Sequence, residues 1–446
     1  MGRRMAVVAA AGVVAVLAGG VTATAAAAQP VMKVACSTPS LVSAVSGAVD
    51  GTTLDLASNC TYVLTAALPT IAQDLTINGN GATLRRSKAN GTAAFTILTI
   101  TAGNVTLNSL SFTNGNGAIT VDNEAQLSVT GGVFSRNTAV DGAAINNTGA
   151  TVVQVTDASF VDNTATGDGG AMYVYTALGN EITDCSFRGN TAGDSGGAYW
   201  EWSNGTFIGG STFRENEATT GGALYFDDQG SEIAGTEVHD NSATQDGGGI
   251  EDSEGGFPVV ITDSEITGNR AGGMGGGIDE ESVGLGSITS TVITDNRAAD
   301  GGGINDGDGT VVQYTSDTIN RNRASGDGGG INAIGSGIFF SGTMISDNRA
   351  SGDGGGINNS TGGGYASFTD STISSNRARG VGGGLYNQGT VDASSTQITG
   401  NRADRGGGGI YDDDSTEATV TLMDSSPISN RPDNCEPLGS ITGCTR

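Results

Sequence analysis

An element Asn-x-Ala, a few small residues and Gly-Gly-x-Ile recurs down this chain, and it constrains the architecture before any residue propensity is considered. Its asparagine falls at Asn137, Asn163, Asn190, Asn216, Asn241, Asn269, Asn296, Asn322, Asn348, Asn376, Asn401 and Asn430, in steps of 25 to 29 residues. A unit that short cannot bury its own apolar residues and must stack on its neighbours. A glycine-rich flexible linker is the rival explanation, since 75 of 446 residues are glycine. It fails because the glycines keep a fixed phase to the hydrophobic residues, which linkers do not.

Within one unit, Thr315 to Ile345, the apolar runs are short and alternate, so they are strands and not helices. Asn322-Arg323-Ala324 and Gly328-Gly329-Gly330 turn the chain between them. Three short strands and three turns per unit describe one rung of a single-stranded right-handed parallel β-helix, in which each coil supplies its own crossover. Two apolar columns at fixed phase provide a continuous core. One, three residues before each asparagine, runs from Phe134, Phe160, Phe187 and Phe213 to Ile398, and the other, after the glycines, from Ile145 and Met172 to Ile410. The asparagines can form an amide ladder at the strand spacing of about 4.8 Å. The glycines suit a turn that needs φ > 0 or lacks room for a Cβ.

Residues 29–130 read as capping and entry rungs, 131–430 as repeat rungs and 431–446 as a C-terminal cap. Thr38-Pro39 opens a short helix carrying Leu41, Val42, Ala44 and Val45, expected to cover the first rung and protect its open edge. The all-β solenoid then has roughly 15 rungs and a length of about 70 Å.

Residues 1–28 have the form of a signal peptide: Arg3 and Arg4, an apolar run, then Ala26-Ala27-Ala28 as a cleavage site. No later stretch reaches the roughly 20 apolar residues of a membrane span, so a secreted, extracellular chain with no transmembrane segment is expected. Losing Arg3 and Arg4 takes the formal charge from −27 to −29, a surface expected to repel nucleic acid and, unless a divalent cation intervenes, polyuronates. In an exported chain, Cys36 with Cys60 and Cys435 with Cys444 can staple the two ends as disulfides, leaving Cys185 as a buried, inert thiol.

The runs FSRN (Phe134 to Asn137), FVDN (Phe160 to Asn163), FRGN (Phe187 to Asn190) and FREN (Phe213 to Asn216), each followed by GGA or a variant, resemble the repeats of chlamydial polymorphic outer membrane proteins. That resemblance implies a surface-exposed β-helix, and adhesion is implicated for several of those proteins. The stretch from Cys36 through LTINGNGATL (Leu75 to Leu84) looks like the entry rungs of secreted, pectate-lyase-like β-helix proteins. The catalytic signatures of the pectate lyases and polygalacturonases are not visible, and the single histidine, His239, reads as a surface residue.

Chemistry is to be sought where the repeat varies. With the residue after the glycines pointing inward, the residues one and three later point outward. These are Tyr173 and Tyr175, Trp200 and Trp202, Tyr225 and Asp227, then Glu251, then Asp279 and Glu281, and then Asn305, Asn332 and Asn358. The five aromatics form a strip suited to sugar rings, or else a stack that only stabilises the sheet. The acids read as a solvated charge run, as a calcium site of Asp227, Glu251, Asp279 and Glu281, or as glycosidase acids drawn from Glu251, Asp279 and Glu281. Arginine follows the asparagine in the last seven units, at Arg270, Arg297, Arg323, Arg349, Arg377, Arg402 and Arg431. Ion pairs with Asp300, Asp327 and Asp353 are expected there, an anion-binding stripe being the other reading.

The leading functional expectation is a non-catalytic extracellular surface that binds polysaccharide or a surface protein and requires no cofactor. The alternative is a polysaccharide-degrading enzyme of the pectate-lyase-like fold, either a glycoside hydrolase or a calcium-dependent lyase. A passive structural rod is the third.

Overall fold

The computed structural model describes residues 30–444 apart from 123, 150–151, 177–178, 228–229, 254–258, 282–284, 308, 361–363, 414–417 and 438–440. The expected signal peptide lies outside the described residues. The chain forms a right-handed parallel β-solenoid of about 15 turns. Three long parallel sheets of 16, 14 and 14 strands run its length, the first from Val31–Val34 to Thr419–Met423, the second from Thr61–Leu64 to Gln397–Thr399, the third from Leu98–Ile100 to Cys435–Glu436. One turn shows the order: Val311–Thr315 in the first sheet, Thr318–Asn320 in the second, Arg323–Ala324 in the connecting turn and Ile331–Ile334 in the third.

Both apolar columns point inward. Phe112, Phe134, Phe160, Phe187 and Phe213 are fully buried and stack ring on ring, with centroids 4.5–5.1 Å apart. Isoleucines continue the same column, and the third sheet is lined by Ile250, Ile278, Ile304, Ile331 and Ile357. In the amide ladder, the Asn296 side chain accepts from the Asn269 main-chain N–H (2.9 Å) and side-chain amide (3.1 Å). It donates to the Ile266 carbonyl (2.9 Å) and to Asn322 Oδ1 (3.1 Å). The asparagine therefore satisfies main-chain groups that the bend leaves unpaired, as well as its own kind.

Both proposed uses of glycine occur in one turn. Gly328 has φ +62°, while a Cβ on Gly329 would meet the Gly355 carbonyl of the next rung at 2.3 Å. The bend before each asparagine also uses φ > 0, mostly without glycine: Asp162, Asp240, Asp295, Arg321 and Asp347 occupy it. After glycine, asparagine and aspartate tolerate this region best, and aspartate is the commonest residue at this bend in this chain.

The helix Thr38–Gly47 is capped by Ser37, whose Oγ accepts from the Ser40 N–H, and it buries Leu41, Ala44 and Val45 over the first turn. A strand not anticipated from sequence, Val31–Val34, precedes it and pairs with Thr53 to Leu56. Disulfides join Cys36 to Cys60 and Cys435 to Cys444. Cys185 is buried and free, its thiol pushed up to about 11 by desolvation. His239 is half-buried on the outside of the second sheet, 3.1 Å from Asp240.

The turn chemistry corrects one expectation. Asp300, Asp327 and Asp353 do not pair with the arginine column among the described residues. Each reaches to the next rung and accepts a main-chain N–H, from Asp327, Asp353 and Val381 respectively, at 2.6–2.7 Å. Asp246 does the same for Met274 at 2.6 Å. Only Arg377 and Arg402 of the column have an ion partner there, Asp404, at 3.4 and 3.5 Å.

Candidate functional site

The outer face of the third sheet carries the residues singled out from sequence, in register. Tyr173 lies opposite Trp200, which lies opposite Tyr225, then Glu251, Asp279, Asn305, Asn332 and Asn358. Outward does not mean exposed here. The φ > 0 glycine of each preceding turn folds back over this column: a Cβ on Gly196 would stand 3.1 Å from Trp200 Cβ, and one on Gly275 2.6 Å from Asp279 Cβ. Trp200 is consequently 8% exposed, while Glu251, Asp279, Asn305, Asn332 and Asn358 are buried.

The aromatics form two parallel stacks. In the inner one, Tyr173 and Trp200 lie 4.4 Å apart and nearly coplanar in orientation (3°), with Tyr225 6.3 Å further on. In the outer one, Tyr175 and Trp202 are 4.5 Å apart at 12°. Tyr175 and Trp202 remain 44% and 38% exposed, so the expected five-ring surface reduces to this pair. The rings face along the solenoid axis and present their edges outward. One face of Trp202 is taken by Tyr175. No ring among the described residues stacks on the other, where the next rung carries Asp227, one step past the Glu201–Phe226 pair.

The acids do not form a solvated run. Glu251 and Asp279 are pushed well above the usual carboxylate range, first by burial and then by neighbouring carboxylates, Glu281 and Asp246 among them. A one-way chain of side-chain amides ends on this pair. Asn358 donates to Asn332, Asn332 to Asn305, and Asn305 to Asp279 Oδ1, each at 2.7 Å. The donated N–H favours charge on Asp279, against the burial and the neighbouring carboxylates that disfavour it. Glu281 alone of the three candidate catalytic acids is exposed. Among the described residues no three acidic, histidine or cysteine side chains come together in a metal-binding arrangement.

A second acidic column was missed. Glu201, Asp252, Glu280 and Asp306 stand two residues after the inward column residue and point into the core. Asp306 accepts from the Tyr314 hydroxyl at 2.8 and 3.0 Å, and burial pushes it up to about 7. Glu201 is enclosed by the hydroxyls of Tyr199, Ser203, Thr206 and Ser231, and burial raises it too. The signal was present: Glu251-Asp252, Asp279-Glu280 and Asn305-Asp306 are adjacent polar pairs on strands, so one member of each must face inward.

Two segments match known family models: residues 144–284 the right handed beta helix region, and residues 395–413 the Chlamydia polymorphic membrane protein repeat. Both matches fall on the repeat. No curated protein matches the chain. Among solved structures it is similar to tailspike protein 3 of bacteriophage CBA120, with 10% identity and a TM-score of 0.38, over 92% of this chain and 58% of that one.

Proposed function

We propose that this protein is an extracellular β-helix that binds neutral glycan at the outer aromatic stack, with the edge of Trp202 and the part of its face that projects past Asp227 as the contact surface. The observation that carries this reading is the exposed Tyr175–Trp202 pair, stacked ring on ring beside the half-buried Tyr173 and Tyr225 and the buried Trp200. A sugar ring offers a face of C–H bonds, which suits the electron-rich face of an indole. Asp227 on the next rung, which also accepts from the Ser253 hydroxyl, would accept hydrogen bonds from sugar hydroxyls. Two disulfides support an oxidising compartment, and no described helix is long and apolar enough to cross a membrane. Binding is favoured over hydrolysis because the carboxyl groups of Glu251 and Asp279 lie beneath the turn glycines.

Affinity electrophoresis through a panel of neutral polysaccharides tests the proposal. Trp202→Ala is expected to weaken retention about tenfold, equivalent to ~1.4 kcal/mol, with at most a small fall in melting temperature from the lost stack on Tyr175. Retention equal to that of the wild type would remove Trp202 from the site. Trp200→Ala is unsuitable, because that buried ring is part of the packing.

A further inference from the structure

On the turn between the second and third sheets, away from the aromatic stacks, seven arginines occupy one position in seven consecutive rungs. Arg297, Arg323, Arg349, Arg377 and Arg402 are direct in-register partners, and Arg270 and Arg431 extend the column at its ends. All seven are exposed, and only Arg377 and Arg402 have an ion partner among the described residues. The aspartates that follow them are engaged by main-chain amides instead. Like charges directly opposite one another, at a rung spacing of about 4.8 Å, destabilise a sheet.

The fold does not require arginine there. In the earlier rungs the same column is Thr138, Thr164, Thr191, Glu217 and Ser242, on the same backbone pairing. The change to arginine is therefore an addition to the scaffold. It places a cationic stripe on a chain whose net charge is −27. Beside the stripe run two adjoining shallow clefts of about 340 and 240 Å³, floored by alanine, glycine and serine.

We propose that this stripe binds a linear acidic polysaccharide lengthwise, one anionic group to each rung. Guanidinium forks take carboxylate or sulfate oxygens bidentately, and the anions relieve the repulsion within the column. A sugar residue of an extended chain is close in length to one rung, so a polymer with one charge per sugar stays in phase with successive arginines. Single-stranded nucleic acid fits less well, because no aromatic side chain lines either cleft to stack on bases. This site is separate from the neutral-glycan site and does not depend on it.

The test is affinity electrophoresis of the full chain in gels containing polygalacturonate, uncharged dextran or an oligothymidylate, at low and high salt. Retardation by polygalacturonate that fades as salt rises is expected, with none by dextran. The triple variant Arg297→Ser, Arg323→Ser, Arg349→Ser, carrying a residue type the earlier rungs already use, should lose at least tenfold in affinity. Arg136→Ser, Arg188→Ser, Arg214→Ser removes the same charge from the second sheet and the bend that follows it, and should retain binding, as should Trp202→Ala. The proposal is overturned by any of four results: no retardation by polygalacturonate, equal loss in both triple variants, oligothymidylate bound as tightly through the same arginines, or loss of binding in Trp202→Ala. Sedimentation showing that the stripe instead joins two copies of the chain, with dimers abolished by the first triple variant, would also overturn it.

Discussion

Replacing Asn296 with alanine is expected to destabilise the protein by several kcal/mol, about 1–3 for each of the three buried groups it leaves unpaired. Alanine would leave the main-chain N–H and side-chain amide of Asn269 without their acceptor, and the Ile266 carbonyl without its donor. Because rungs contact only their neighbours, the loss should first appear as local opening around that rung, followed by a lower melting temperature. Hydrogen exchange at residues near 266–322 together with thermal melting would measure it. Glu265→Ala, an exposed change one residue from Ile266, should stay within about 0.5 kcal/mol. Equal stability of the two variants would mean that the ladder is ornamental.

The second large effect is a stability that falls as pH rises. Glu201, Glu251, Asp279, Asp306 and Asp317 all have their acid pKa raised by burial. The native state therefore holds protons that the unfolded chain releases near pH 4, and stability decreases with pH wherever the native state binds more protons. For Asp306 and Asp317 the decrease runs from about pH 4 to about pH 7 and levels off above. Asp306 alone, moved from 3.8 to about 7, accounts for on the order of 4 kcal/mol across that window. Thermal melting at pH 5 and pH 8 is expected to give the higher midpoint at pH 5. Asp306→Asn, which keeps an acceptor for the Tyr314 hydroxyl, should reduce the difference. A midpoint that rises toward pH 8 would show that these carboxyl groups are not neutral in the native state.

The scaffold was legible in the sequence because its period is fixed. Phe134, Ile145 and Asn137 each head a column whose phase never slips, and phase alone assigns side to strand. The site was legible only in its direction. Alternation places Trp200, Glu251 and Asp279 on the outer face, but their burial depends on the turn glycines folding back over them, as Gly247 does over Glu251. The turn aspartates were misread for a related reason. Asp300 is near Arg297 in sequence, yet its carboxylate reaches across the rung to the Asp327 N–H. Asp252, Glu280 and Asp306 were there to be found by the same alternation that placed Glu251 and Asp279.

The glycan-binding account is tested most directly by fluorescence of a Trp200→Phe variant. The chain has two tryptophans, so this change leaves Trp202 as the only indole. Phenylalanine keeps a ring between Tyr173 and Tyr225. Titration with neutral oligosaccharides is predicted to give a saturable change in Trp202 emission, as a sugar ring covers its edge and the part of its face that projects past Asp227. Emission unchanged across the panel, or unchanged while a polysaccharide is demonstrably retained, would contradict the account and place any glycan elsewhere on the solenoid.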